Sequence, residues 1–337
     1  MKNIELKAIT ILRFIAALYV FIFHLNIRIP IKLGTYTNAI ISNGAVGMSV
    51  FFVLSGFVLC YNYSEGISLD YLRKRIARIY PAYLFMGIMT LPFLTIYSWK
   101  TISLSIFIFI TLIQAWFYQS FEVWNFGGSW SISVELFFYI LFPFLIKIIN
   151  DTNKIKFLIF SYIASSIIIP LSTELTNTFV FSVYYSNPIY RLPEFIFGIA
   201  LCRLYFSGFR IKLYQFLFIV FILFITLTRP NQGFMENNFI VLPCIGFIML
   251  FLAKVEFIKE GGFKIAIYLG RISYSFYLMQ LPLMLALDRK IIPLFENNLL
   301  SWGALLVLNI IFAVISYHFI ENNNSIRSFI VGKRRSE

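Results

Sequence analysis

Apolar residues in this chain do not alternate with polar ones at a strand period, and they do not fall on one helical stripe. They run on unbroken, in segments of roughly twenty residues, which is the length an α-helix needs to cross the hydrocarbon core of a bilayer. Eleven such segments can be marked, at 8–29, 42–62, 79–97, 102–119, 130–149, 155–174, 188–206, 212–228, 237–254, 264–287 and 301–320. A helix that is hydrophobic all round has to be buried, in a large core or in lipid. The pattern therefore predicts an all-α protein, a polytopic integral membrane helical bundle. Residues 1–330 are expected to form a single membrane-embedded domain, with 331–337 as a basic tail.

Composition agrees. Hydrophobic residues make up 60% of the chain and charged residues only 13%, about half the charged share of a soluble domain. The net charge of +13 does not call for nucleic acid, because cytoplasmic loops of membrane proteins carry an excess of Lys and Arg. The most basic loop holds Arg73, Lys74, Arg75 and Arg78, which places it in the cytoplasm together with Lys2 and Lys7 of the N-terminus. Later connections alternate between basic ones (Lys147/Lys154/Lys156, Arg203/Arg210/Lys212, Lys254/Lys259/Lys264) and ones nearly free of Lys and Arg. That alternation holds only if 79–119 crosses an odd number of times. One of 79–97 and 102–119 is thus expected to be re-entrant, interfacial or too short, leaving about ten spans with both termini cytoplasmic. The connection 288–300, with Arg289 and Lys290, is the one outward loop that fits poorly.

The first apolar segment carries Arg13 and His24 and has no small-residue cleavage site after it, so it reads as a retained helix and not a signal peptide. Cys60, Cys202 and Cys244 lie inside apolar runs with no metal-ligand spacing, and no metal is expected.

Ionisable groups inside membrane helices are costly and mark function by default. Arg13 and His24 are eleven residues apart, which is three turns plus about 20°, so they share a face about 16 Å apart along the axis. His24 is the leading candidate for a general base, since histidine titrates nearest neutral pH. The other histidine, His318, lies beside Glu321 at a helix end and reads as a structural partner. Arg75 and Arg78, three apart, share a helix face and could hold phosphates bidentately. Glu135, inside the fifth segment, needs a partner, and Trp130 before it reads as an interface anchor. Arg191 and Glu194 could simply pair with each other at i, i+3. Gln280 falls toward the outer end of the tenth segment and Arg271 toward its inner end. On this topology Arg13, Arg75, Arg78 and Arg271 lie toward the cytoplasm, and His24, Glu135 and Arg191 toward the outside.

At these residues the chain resembles the acyltransferase-3 family of bacterial membrane O-acyltransferases. The matching elements come in family order: Leu12-Arg13-Phe14 with His24, Phe51-Phe52-Val53-Leu54-Ser55-Gly56-Phe57, Arg75-Ile76-Ala77-Arg78, Ser129-Trp130-Ser131 with Glu135, Arg191-Leu192-Pro193-Glu194 with Gly198, and Ile272-Ser273-Tyr274-Ser275. The resemblance implies a multi-pass enzyme of the bacterial cytoplasmic (inner) membrane. Its donor would be acetyl-CoA or another acyl-CoA. Its acceptor would be a hydroxyl of a surface glycan (lipopolysaccharide O-antigen, capsule or exopolysaccharide) or of a lipid-linked oligosaccharide.

On that basis Arg13, Arg75 and Arg78 are expected to bind the coenzyme A phosphates. His24 is expected to act as base, or as a transiently acylated relay, with Glu135 orienting it. Arg191 and Trp130 are expected to contact substrate. Many relatives have histidine where this chain has Gln280, and no segment here matches the soluble esterase-like domain that some relatives carry. Two other readings are a transporter for a glycan precursor, which would usually show inverted repeats, and a polysaccharide polymerase, which would usually show a large outer loop. Neither feature is present in the sequence.

Overall fold

The computed structural model describes residues 5–94, 98–117, 129–176, 181–229, 237–255 and 260–331, and every regular element among them is helical. In chain order these are α1 (Lys7–Arg28), α2 (Thr35–Ser42), α3 (Val46–Asn62), α4 (Tyr71–Thr90, extended by a 3₁₀ turn to Leu94) and α5 (Trp99–Ile110). There follow α6 (Trp130–Ile148), α7 (Lys154–Thr176), α8 (Phe181–Tyr184), α9 (Pro188–Phe206), α10 (Leu213–Leu227) and α11 (Asn238–Leu252). The last are α12 (Glu260–Arg271), α13 (Ser273–Asp288), α14 (Asn298–Ser316), a π-helical turn at Tyr317–Glu321, and α15 (Asn324–Val331).

Among the described residues four helices are long and apolar enough to cross a membrane by themselves: α1, α4 with its 3₁₀ extension, α6, and α14 with its π turn. The pair α2 and α3, bent by 42°, qualifies as a fifth, broken span. Other expected segments are helical too, and several fall short for individual reasons. Arg191, Glu194 and Arg203 put three charges into α9. Helices α10 and α11 have 15 residues each, about 22 Å. Helix α5 has 12 residues, about 18 Å, so it is the member of the 79–119 pair that is too short to cross unaided. The segment 264–287 is not one helix: Ile272, at φ −83° and ψ 0°, separates α12 from α13.

The chain forms two compact units, and α1 and α6 each contribute to both. The first comprises residues 1–23, 32–66 and 141–271. Its centre is α9, packed against α3, α7 and α11. The crossing of α3 and α9 is backbone on backbone. A Cβ on Gly56 would strike the carbonyl oxygen of Phe195, and one on Gly198 would strike that of Val53. The Gly in the aromatic run 51–57 thus does what small residues do at membrane helix interfaces. Substituting Gly198 by Leu should prevent this approach, since overpacking costs about 1–3 kcal/mol even where side chains can yield and here the obstacle is backbone. The expected result is loss of the monodisperse folded species in detergent size-exclusion chromatography; a variant that elutes and melts like the parent would refute the crossing.

On the outer face of this unit, α10 presents Leu213, Leu217, Phe218, Phe221 and Phe224 in exposed positions. A run of exposed aromatics of that size suits lipid and not water. An apolar cleft of about 690 Å³ beside it, between Phe209, Tyr214, Phe218 and Phe247, has no ionisable lining group other than the Tyr214 phenol.

At the end of α12, Gly270 lets the backbone of Thr10 approach, and Arg271 pairs with Glu5 at 2.6 Å. Arg271 holds the Glu5 carboxyl below its ordinary value, chiefly by hydrogen bond, against the opposing effect of partial burial, with its charge adding a smaller lowering. Glu5 lies ahead of α1 and both groups are substantially exposed, so the pair is worth under about 1 kcal/mol. A depressed carboxyl contributes stability above its unfolded value and loses it as pH falls through the folded one. Glu5→Gln should therefore lower Tm slightly at neutral pH, and the difference should shrink as pH falls below the ordinary carboxylate range and through the depressed folded value. An undiminished difference at low pH would show that the ion pair is not its source.

The second unit comprises residues 24–31, 67–140 and 272–337. Here α13 is the hub. The Tyr274 hydroxyl donates to the Ile79 carbonyl of α4 (2.8 Å), Ser131 of α6 meets the Tyr277 hydroxyl (2.9 Å), and Asn309 of α14 donates to the Phe276 carbonyl (3.0 Å). Helix α4 also packs against the π turn and α15. Short α5 is fixed through its C-terminal end: Tyr83 donates to the Phe109 carbonyl (2.9 Å) and stacks on the Phe109 ring at 4.0 Å. Cys60, Cys202 and Cys244 are all buried and unbridged.

Candidate functional site

His24 sits one turn before the end of α1, half-buried. Its Nδ1 lies 2.9 Å from Oε1 of Gln280, which is fully buried in α13. The amide nitrogen of Gln280 donates to the Tyr277 carbonyl at 2.7 Å. Two further contacts fix the ends of these helices. Arg28 grips Asp288 through Nε (2.9 Å) and Nη2 (3.2 Å), and its Nη1 donates to the His24 carbonyl (3.1 Å). A bidentate guanidinium–carboxylate pair is geometrically specific, so it sets the height of His24 against Gln280. Neither Arg28–Asp288 nor His24–Gln280 was assigned from sequence; the partners are 260 and 256 residues apart.

A second polar group in the same unit gathers around Tyr139 of α6. Its hydroxyl donates to Glu135 Oε1 at 2.7 Å, and Arg75 and Arg78 of α4 lie within electrostatic reach of it. The expected juxtaposition of Arg75 with Arg78 on one face of α4 is present, and both are half-buried. Glu135, assigned from sequence to orient His24, is held instead by Tyr139, and the orienting position at Nδ1 is taken by Gln280. Trp130, read as an interface anchor, is 3% exposed. A ring at headgroup level would be open, so this one packs within the protein beside Ser131, which ties α6 to Tyr277.

In the first unit, Arg13 is half-buried on α1, three turns before His24. Arg191 and Glu194 form the i, i+3 pair that their spacing allows, at 2.9 Å and both fully buried. Glu194 also accepts from Ser49 of α3 (2.8 Å) and from Asn238 of α11 (3.2 Å), while Asn238 reaches Ser165 of α7 (3.0 Å). The Arg191 guanidinium lies 4.8 Å from the Phe52 ring centroid and 5.0 Å from that of Tyr185. One ion pair thus knits four helices together in an apolar interior. His318, at the π turn, is exposed with its ring edge-on to Tyr317, and its neighbour Glu321 accepts from Ser275 at 2.7 Å.

The second unit thus carries, on helices of apolar composition, a hydrogen-bonded imidazole and, separately, an arginine–carboxylate–phenol cluster. The chain belongs to the acyltransferase family: the family model described as an acyltransferase domain matches residues 6–318. It is 30% identical over 165 residues to the acyltransferase MdmB of Streptomyces mycarofaciens, covering 44% of this chain and 41% of that one. It is 24% identical over 367 aligned residues to the O-acetyltransferase OatA of Staphylococcus aureus strain NCTC 8325, covering 92% of this chain and 55% of the relative. The chain thus spans about half the length of the curated relatives it matches. No solved structure matches it. The family match and the apolar helices together make this an acyltransferase-family chain of multi-pass helical membrane type.

Proposed function

We propose that this acyltransferase moves an acetyl group from acetyl-coenzyme A, taken up at the cytoplasmic side, to a hydroxyl of a surface glycan on the far side of the inner membrane. The placement of His24 carries the reading: an imidazole near the end of a membrane helix, held by a hydrogen bond to a buried amide. The likeness to an O-acetyltransferase over most of the chain favours a hydroxyl acceptor. O-antigen, capsule, exopolysaccharide or a lipid-linked oligosaccharide would each present one.

Arg75 and Arg78 bind donor phosphates, for which paired guanidinium groups on one helix face are suited. Arg13 is assigned to the donor through its place on α1, three turns before His24. His24 takes the proton from the acceptor hydroxyl as its oxygen attacks the thioester carbonyl. The new C–O ester bond forms, the C–S bond breaks, and the proton passes on to the departing thiolate. Glu135 and Tyr139 keep the arginine face ordered beside the donor. Both termini lie in the cytoplasm, as the loop charges require.

The test uses the whole protein in nanodiscs with ¹⁴C-acetyl-coenzyme A, alongside NMR of surface glycans from cells with and without the gene. An O-acetyl signal that disappears with the gene, together with donor turnover by the purified protein, supports the reading. Unchanged glycan with no turnover sinks it.

A further inference from the structure

We infer that Gln280 is a positioning residue that fixes the tautomer of His24, making Nε2 the nitrogen that accepts the acceptor's proton. The inference rests on the proposed role of His24 as base, and it follows from a chain of three groups that can be read in only one direction. The last group is the backbone carbonyl of Tyr277, which can accept but never donate. The group facing it at 2.7 Å must therefore be the NH₂ end of the Gln280 amide. That places the amide oxygen toward His24, 2.9 Å from Nδ1. An amide oxygen also only accepts, so Nδ1 must carry the hydrogen. In a neutral imidazole the lone pair is then on Nε2.

The assignment normally left open in a histidine is settled here by a main-chain carbonyl three residues from the glutamine. The carbonyl itself is held in place. Tyr277 is anchored through its hydroxyl to Ser131 of α6 (2.9 Å), and Gln280 is fully buried, so its amide cannot turn over into water. The departure from histidine at this position thus has a chemical content. Glutamine cannot act as a base, yet it orients one, and it does so with a neutral dipole where a carboxylate would add a charge. When His24 takes the proton, Nδ1–H keeps its bond to Gln280, so the ring need not turn during transfer. A ring in the other tautomer would present N–H to the hydroxyl, and the reaction would have no acceptor for the proton.

The chain has two histidines, His24 and His318, which makes a direct readout practical. In ¹⁵N-histidine protein in nanodiscs, with His318→Gln used for assignment, NMR should show the His24 hydrogen on Nδ1. In Gln280→Met, of similar length and lacking the acceptor, the Nε2–H form should appear. Turnover of acetyl-coenzyme A by that variant should fall about 10²-fold in kcat, with donor KM within about two-fold, as for loss of a correctly presented base. Gln280→Glu offers an acceptor to Nδ1 in either protonation state, and should hold the tautomer and keep kcat within about ten-fold.

An unchanged Nδ1–H signal in Gln280→Met overturns the inference, and so does a Glu variant as inactive as the Met one. The underlying reading fails separately: if His24→Gln is fully active, His24 is not the base, whatever the tautomer. If His24→Gln is inactive and Gln280→Met is not, only the positioning role is lost.

Discussion

His24→Gln should lower acetyl-coenzyme A turnover by about 10²–10⁴-fold, the usual worth of a general base, while leaving the protein folded and its melting unchanged. The substitution keeps polarity and length, so retained stability separates chemistry from packing. The His24 ring is hydrogen-bonded to Gln280 and half-buried, so glutamine can stand in its place without filling or emptying the fully buried core. The loss should fall on kcat and not on donor KM, because the imidazole acts at the reacting hydroxyl and the phosphates are held elsewhere. Intact-protein mass spectrometry after a brief acetyl-coenzyme A pulse adds a mechanistic arm. An acetyl mass on His24 would mean a relay in which the ring is the nucleophile, and its absence with full turnover supports direct transfer. A His24→Gln variant within a few-fold of the parent would remove both mechanisms.

The second large effect is structural. Glu194→Ala leaves the fully buried guanidinium of Arg191 without its carboxylate, and breaking a buried pair from one side costs about 3–5 kcal/mol. The variant should unfold at markedly lower temperature or fail to accumulate. The double variant Arg191→Met/Glu194→Leu removes both charges and should recover most of the loss, since well-packed apolar groups often replace a buried pair without penalty. Its activity then decides what sequence left open for Arg191. A stable double variant with normal turnover assigns the pair to architecture. A stable one with lost turnover gives Arg191 a part in substrate binding. If Glu194→Ala alone costs less than about 1 kcal/mol, the pair is not the brace that its burial implies.

The helices themselves were legible because a bilayer imposes one rule on every span, a long apolar run. Within 79–119, where loop charge called for an odd number of crossings, α5 is a helix of 12 residues. The i, i+3 spacing gave Arg191–Glu194. What stayed hidden depends on contacts distant in sequence. Neither proline nor a charge pattern marks the break at Ile272; it sits beside Gly270, where the Thr10 backbone approaches. Gln280 looks like a lost catalytic histidine until it is seen against His24, 256 residues away. Trp130 fits the rule for interfacial tryptophans, and only its burial shows that the rule does not apply to it. Arg28 reads as one more helix-end cation until Asp288 is found beside it.

Because Cys60, Cys202 and Cys244 are all buried, the native protein should be nearly silent to a membrane-impermeant maleimide. A cysteine added singly to an exposed loop position would then report alone, with no need to strip the native thiols first. Set beside Arg73, it would label only in inverted vesicles if that loop faces the cytoplasm. The route of the chain across the bilayer thus becomes a question for loop-by-loop thiol mapping in intact cells.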